Sequence, residues 1–288
     1  MASCWRDLLS RGEPLLLPGA YDALSARLIE RAGFHAYVLG GFSIAASRYG
    51  LPDLGLIGLA EMSAAVRDCI RACALPVLVD GDTGYGNVMN VVHTVETYES
   101  MGASALLLED QVSPKRCGHL KGKAVIGAVE MEAKISAAVA ARNSKEFFII
   151  ARTDARAVHS LDDALKRGER YLKAGADGLF IEAPESLDEL ERIAREFDVP
   201  QVCNMLVGGM TPVLSNADLF HMGFSMIVHG TTLLMSVAAQ ATIVLEAIRH
   251  DRIDSTRGFM TMKQYEELLN VERWSKIQLL APRIPPIK

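Results

Sequence analysis

Short apolar runs that end in Gly, Asp, Glu, Asn or Pro recur along the chain: PLLLPGAYD, AYVLGG, PVLVDGD, ALLLED, FFIIARTD, GLFIEAP, QVCNM and MIVHGTT. Between them the apolar positions switch to helical spacing, which predicts helices over 22–33, 61–74, 88–102, 129–142, 161–174, 186–197, 215–222 and 232–249. The order is strand then helix, eight times over. Three helices close on nearly the same phrase, ERAGFHAYV, ESMGASALL and LKAGADGLF. In each, a Gly supplies the left-handed cap and the next strand is apolar on both faces, as a buried parallel strand must be. Such strands need helical crossovers, and this count predicts an α/β fold, a (β/α)8 TIM-type barrel rather than an open doubly wound sheet.

No Gly/Ser-rich or Pro-rich linker interrupts the pattern, so residues 1–250 read as one catalytic barrel domain. Residues 251–288 fall outside the period and read as a C-terminal helical extension with a Pro-rich end. The partner of that tail is not visible in one chain.

Half of the 288 residues are apolar, 23% are charged and the net charge is −5. That balance offers no basic field for nucleic acid and no polybasic membrane patch. Residues 1–20 lack the apolar core of a signal peptide, which predicts a cytoplasmic protein. The longest weakly charged run, TTLLMSVAAQATIVL at 231–245, is shorter than the roughly 20 residues that span a bilayer and is expected to be a buried helix. Of the five cysteines, Cys69 and Cys73 sit within an apolar helical pattern and are expected to be core thiols.

A barrel of this kind gathers reactive groups at the carboxyl ends of its strands. The second strand is followed by Gly40, Gly41 and Ser43, and the same connection carries Asp53. Then come Asp80 and Asp82, Glu109 and Asp110, Arg152 and Asp154, Glu182, Asn204, and His229 with Thr231. Asp80, Asp82 and Glu109 are hard oxygen donors, and with Glu182 they would repel unless a cation lay among them. They are therefore candidate ligands of Mg2+, or of Mn2+ in its place, with Asp80 direct and the others acting through water; each acid could instead cap a helix. Arg152 could clamp a substrate carboxylate or pair internally with Asp154 or Glu182. His229 is either a catalyst or a satisfied core residue.

The stretch LLLEDQVSPKRCGHLKGK at 106–123 leaves the fourth strand with Gly punctuation, four cations and a thiol. It reads as a lid that closes over an acidic substrate, with Lys115, Arg116 and His119 meeting carboxylates and Cys117 tuned for proton transfer.

GLPDLG at 50–55, DGDTGYGN at 80–87, LEDQVSPKRCGH at 108–119, IIARTDA at 149–155, IEA at 181–183 and NM at 204–205 together resemble the isocitrate lyase/phosphoenolpyruvate mutase superfamily, over roughly residues 10–250. The KRCGH loop is similar to the lid of 2-methylisocitrate lyase and related short-chain lyases, the 2,3-dimethylmalate type among them. The resemblance implies a Mg2+-dependent barrel that swaps its last helix with a neighbouring subunit in a homotetramer built of dimers. It implies a small α-hydroxy or α-keto di- or tricarboxylate as substrate, with no nucleic-acid or membrane partner. By motif, Asp80, Asp82 and Glu109 match the metal-site acids, Glu182 a substrate-site acid, Asp53 the acid of the second-strand loop, Arg152 the substrate arginine, and Cys117 the acid that protonates the departing carbanion. Gly40, Gly41, Ser43 and Asn204 fall where substrate is held.

The implied reaction is cleavage of a substituted malate or isocitrate to an α-keto acid and a carboxylate, with His229, a metal-bound water, Tyr37 or Tyr85 as base. Two features depart from that pattern. VHGTT replaces a YPLS-like segment at strand eight, and His229 there resembles the oxaloacetate decarboxylase branch. NMLVGGMTP at 204–212 resembles carboxyphosphonoenolpyruvate mutase. An oxaloacetate decarboxylase or hydrolase, a P–C mutase, and a non-enzymatic α-keto acid binder therefore stay open beside the lyase.

Overall fold

The computed structural model describes residues 4–254 and 258–280. Its strands are β1 (Leu15–Ala20), β2 (Tyr37–Leu39), β3 (Val77–Asp80), β4 (Ala105–Glu109), β5 (Phe148–Thr153), β6 (Gly178–Ile181), β7 (Gln201–Asn204) and β8 (Met226–His229). They pair in parallel in chain order, and β8 returns to β1 to close the barrel. The helices are α1 (Trp5–Leu9), α2 (Ala23–Arg31), α3 (Gly41–Tyr49), α4 (Leu59–Ala72), α5 (Val88–Met101), α6 (Ala128–Ala141), α7 (Ala155–Val158), α8 (Leu161–Lys173), α9 (Leu187–Glu196), α10 (Asn216–Met222), α11 (Thr232–Arg249), α12 (Met262–Leu268) and α13 (Val271–Leu279). The (β/α)8 barrel expected from the pattern is present.

Two compact units divide the chain, residues 1–237 and residues 238–288, so the barrel unit ends within α11. The barrel unit has a double core. Strand side chains alternate between faces, and one set, including Leu17, Val38, Leu78, Leu107, Ile150, Phe180, Val202 and Met226, fills the interior. The other set, including Val79, Leu106, Leu108, Ile149 and Leu179, packs under the surrounding helices. Cys69 and Cys73 lie in that outer layer, as expected of core thiols. Continuing the inward set by two residues reaches Asp80, Glu109, Arg152, Glu182 and Asn204, so the alternation that builds the core also aims these groups into the mouth. Gly19 is a forced choice beside β8, because a Cβ there would stand 2.0 Å from the Gly230 carbonyl oxygen.

At the opposite end, α1 brings Trp5 and Leu8 onto the interior cluster, with Trp5 only 1% exposed. A short amphipathic helix thereby plugs the barrel floor.

The second unit holds α12 and α13, with α12 entered through a reciprocal Thr261–Gln264 capping box. Trp274 and Leu279 stand 58% and 83% exposed. The expectation of a buried helix at 231–245 is corrected. No residue of α11 is buried, and Met235, Val237, Ile243, Leu245 and Ile248 face outward uncovered. By length and composition alone this 18-residue helix could cross a membrane. Composition made it apolar, but burial needs a second surface, and the described residues provide none for it.

Truncating the plug tests its weight. Trp5→Ala should lower unfolding free energy by about 3–5 kcal/mol, the usual result of emptying an aromatic site in a packed core. Urea denaturation checks this, and a loss under about 1 kcal/mol would show the plug to be dispensable.

Candidate active site

The barrel mouth holds a cavity with an apolar floor of Val38, Leu78, Leu107, Phe180, Val202 and Val228. Its polar wall carries Gly40, Ser43, Asp53, Asp80, Lys115, Cys117, Gly118, His119, Arg152, Glu182, Asn204 and Thr231. Eleven residues singled out from sequence therefore meet in one space: Gly40, Ser43, Asp53, Asp80, Lys115, Cys117, His119, Arg152, Glu182, Asn204 and Thr231. Asp82, Glu109 and Gly41 stand behind the wall. A Cβ at Gly41 would come within 3.4 Å of Asp82 Oδ1, so glycine lets the second-strand loop lie against that acid.

Ion pairs organise the wall. Lys115 Nζ lies 2.6 Å from Asp53 Oδ1 and 2.7 Å from Asp82 Oδ1. Arg152 donates through Nε and Nη2 to the two oxygens of Asp154, at 2.9 and 3.1 Å, and its Nη2 lies 3.4 Å from both Glu109 and Glu182. The internal pairing left open for Arg152 is thus present. Its guanidinium also stacks 5.3 Å above the Phe180 ring, which leaves the Nη1 end for a ligand. The expectation that a cation lies among the clustered acids is met in the first place by side chains. Lys115 and Arg152 already lie among them, because the lid brings its own ammonium group into the mouth.

Burial pushes the Asp82 carboxyl up to about 6, against the pull of Lys115. Burial likewise raises Glu109 well above the carboxylate range, opposed by Arg152 and then Lys115. Burial also acts on Glu182, but Arg152 and His119 outweigh it and hold this carboxyl below its ordinary value. Lys115, although buried, is held well above the usual lysine value by Asp82, Glu109, Asp80 and Asp53 together.

His119 is oriented from both sides. The Met210 N–H donates to its Nδ1 at 3.1 Å, which fixes the proton on Nε2, 3.2 Å from Glu182 Oε1. The NM loop after β7 therefore steers a lid residue. Ser43 donates to the Gly230 carbonyl oxygen at 2.9 Å, so this hydroxyl joins two loops at the mouth. Asp82, Tyr85 and Ala183 take left-handed backbone angles, φ 46°, 58° and 57°. Such strain costs on the order of 1–3 kcal/mol per residue and collects at functional sites. Asp82 is further held by its N–H donating to Asp80 Oδ1 at 3.1 Å.

Two sequence assignments are moved out of the cavity. Arg116 is exposed, and only its backbone is engaged, by the Gln111 side chain. His229 follows the outward set of β8, with Ile227, and its Nε2 meets Asn216 Oδ1 at 3.0 Å; burial lowers its pKa. Of the suggested bases, Tyr37 lies in the outer core and Tyr85 pairs with the Tyr98 hydroxyl at 3.0 Å, so neither tyrosine nor His229 lines the cavity. Sequence reasoning missed Lys123, whose Nζ reaches Asp154 at 2.8 Å, and Lys134, a buried ammonium on α6 that donates to the Thr83 carbonyl at 3.0 Å. Both were hidden among ordinary surface-like lysines.

Asp80, Asp82 and Glu109 are the residues able to hold a divalent cation. Among the described residues no three His, Cys, Asp or Glu side chains form a closed metal cage. Mg2+ does not ask for one, since it takes one or two carboxylates and keeps its waters. Glu109 Oε1 is buried without a hydrogen-bond partner, an open acceptor that fits such an ion or its water shell.

Residues 5–249 match the family model described as phosphoenolpyruvate phosphomutase. The chain belongs to that family. Among its relatives in the phosphoenolpyruvate phosphomutase family, 2,3-dimethylmalate lyase of Eubacterium barkeri is 40% identical over 282 residues, covering 96% of each chain. The 2-methylisocitrate lyase of Bacillus subtilis is 40% identical over 93% of this chain and 88% of its own. Oxaloacetate acetylhydrolase bound to 3,3-difluorooxalacetate superposes with TM-score 0.91 at 30% identity over 96% of both chains. Phosphonopyruvate hydrolase in complex with oxalate and Mg++ does so with TM-score 0.85 at 29% identity, over 96% of this chain and 97% of that one.

Because His229 faces away from the cavity, His229→Gln should leave kcat/KM for a cleaved substrate within about threefold of the parent, as for a substitution outside the reacting shell. Steady-state kinetics decide; a loss of a hundredfold would return His229 to the mechanism.

Proposed function

We propose that this chain is a Mg2+-dependent carbon–carbon lyase that cleaves a substituted malate or isocitrate-type 2-hydroxy acid to an α-keto acid, pyruvate or glyoxylate, and a carboxylate. The observation that carries the reading is Cys117 lining the same cavity as Arg152 and Glu182, with its lid neighbour Gly118 laid against both. The lyase relatives support it. The feature that pointed toward an oxaloacetate decarboxylase, His229, lies outside the cavity.

Arg152, fixed by Asp154, presents its remaining edge to a substrate carboxylate, and Asn204 and the Gly40 loop complete the polar wall. Asp80, Asp82 and Glu109 would hold Mg2+, or Mn2+ in its place, which when bound supplies a Lewis acid for the oxygens of the hydroxy acid. A base on the cavity wall takes the proton of the C2 hydroxyl. The C2–C3 electron pair then leaves with C3 as the C2 oxygen becomes the ketone of the α-keto acid. Cys117 returns a proton to C3. Burial pushes the Cys117 thiol up, against a backbone hydrogen bond near His119, so the group is protonated at neutral pH and suited to act as an acid. The apolar floor and closed lid keep water from quenching the carbanion.

The exposed apolar faces of α11 and α13 fit a chain that covers them with a neighbouring copy, as in a helix-swapped dimer, and dimers of dimers would give a homotetramer.

The reaction is tested by offering 2-methylisocitrate, 2,3-dimethylmalate and oxaloacetate separately and measuring keto-acid release. EDTA should abolish turnover, with Mg2+ or Mn2+ restoring it. Cys117→Ala should lower kcat by about 10²–10⁴, the usual contribution of general acid catalysis. If oxaloacetate alone turns over and Cys117→Ala retains full rate, a hydrolase or decarboxylase replaces the lyase reading. For assembly, sedimentation at micromolar concentration should give a species near four chains; a monomer would remove the swapped-helix proposal.

A further inference from the structure

Asp154, which fixes Arg152, also meets a second cation that the lyase reading leaves without a role. Fully buried at the end of β5, it receives Arg152 on both oxygens and Lys123 Nζ on Oδ1 at 2.8 Å. Lys123 belongs to the lid, on the far side of Cys117 from Lys115, and its side chain is 2% exposed. Its ammonium also donates to the carbonyl oxygen of Gly118, a lid residue next to Cys117. Gly118 in turn lies directly on the site: a Cβ there would come within 2.5 Å of Arg152 Nη2 and 2.6 Å of Glu182 Cγ. One ammonium group thus ties the turn carrying Cys117 to the carboxylate that orients Arg152. Asp154 is anchored from behind, its N–H donating at 2.9 Å to buried Asp110, which also receives Thr153, Arg167 and Tyr171.

We propose that Lys123 is a positioning residue: through Asp154 it latches the lid over Arg152, so that closing Cys117 onto the substrate and fixing the substrate arginine are one event. The opposite side of the lid has its own tie, Lys115 to Asp53 and Asp82, with the Cys117 N–H donating to the Asp53 carbonyl at 3.1 Å. Losing Lys123 therefore frees the side of the lid that covers Arg152 without unmaking the other. Two charge-assisted bonds in a dry site are enough to shift the lid toward open by at least about tenfold when they go.

The test needs no substrate, so its outcome is separate from whether the lyase reading holds. Full-length protein is treated with iodoacetamide and alkylation of each cysteine is followed by peptide mass spectrometry. Part-exposed Cys4 serves as the reactive reference, and buried Cys69 and Cys203 report on general loosening. Lys123→Met should raise the rate at Cys117 about tenfold or more while Cys69 and Cys203 stay unreactive. Asp154→Asn should do the same, and the double variant should be little faster than either single one, because both remove the same tie. An unchanged Cys117 rate in Lys123→Met would overturn the latch. So would acceleration at all buried cysteines together, or effects of the two substitutions that simply multiply.

Discussion

The mouth of this barrel depends on compensating buried negative charge. Asp82, Glu109, Asp110, Asp154 and Glu182 are each at most 4% exposed. A carboxylate taken out of water loses several kcal/mol of solvation unless cations and hydrogen bonds replace it. Arg152 from β5, Arg167 from α8, and Lys115 and Lys123 from the lid supply those cations. Two of the four arrive on a segment that leaves the barrel wall. The lid is therefore part of the electrostatic closure of the site rather than a cover laid on a finished one. With the lid raised, Asp82 keeps Asp80 as a neighbour and loses Lys115, which is the arrangement in which the acids most demand a cation from solution.

Division of labour among the acids follows from their partners. Glu182, facing Arg152 and His119, is held as an anion and can orient a substrate or its lid histidine. Glu109 and Asp82, deeper and less compensated, are pushed toward the proton, and Glu109 keeps an oxygen without a donor. That contrast separates the well-compensated acid from the poorly compensated ones, and chemical type alone could not have drawn it. Asp110 belongs to neither group. With four donors around it, it is the anchor of the β4–β5–α8 corner.

Most of the fold was legible because the barrel repeats itself. Eight apolar runs with eight helices leave few arrangements open, and the left-handed Gly102 closing α5 is visible as the Gly of ESMGASALL. The ring of site residues was legible for the same reason, since strand ends are countable. His229 was misplaced although the information was present: Met226 and Val228 share the inward face of β8, so the residue after Val228 must point out. Arg116 was misplaced because neighbours in a loop have no fixed period, and Lys115 and Arg116 look alike until Gln111 is seen holding the Arg116 backbone. The uncovered α11 was unreadable in another way, because apolar spacing tells that a face must be covered and says nothing of what covers it.

On the proposed reading, cleavage between two carbons of a small acid needs a dry space for the charge released at C3 and a proton donor set beside it. The floor supplies the first half of that condition, since Leu78, Leu107, Phe180 and Val228 offer nothing that donates a proton. The lid supplies the second, setting a thiol against the same space. An ordinary thiol is already largely protonated at neutral pH and burial moves Cys117 further in that direction, so the closure that excludes water leaves its proton available. On the proposed reading, site chemistry and lid position are one property, and the lysines flanking Cys117, each held by a buried carboxylate, tie that property to the charge balance of the mouth.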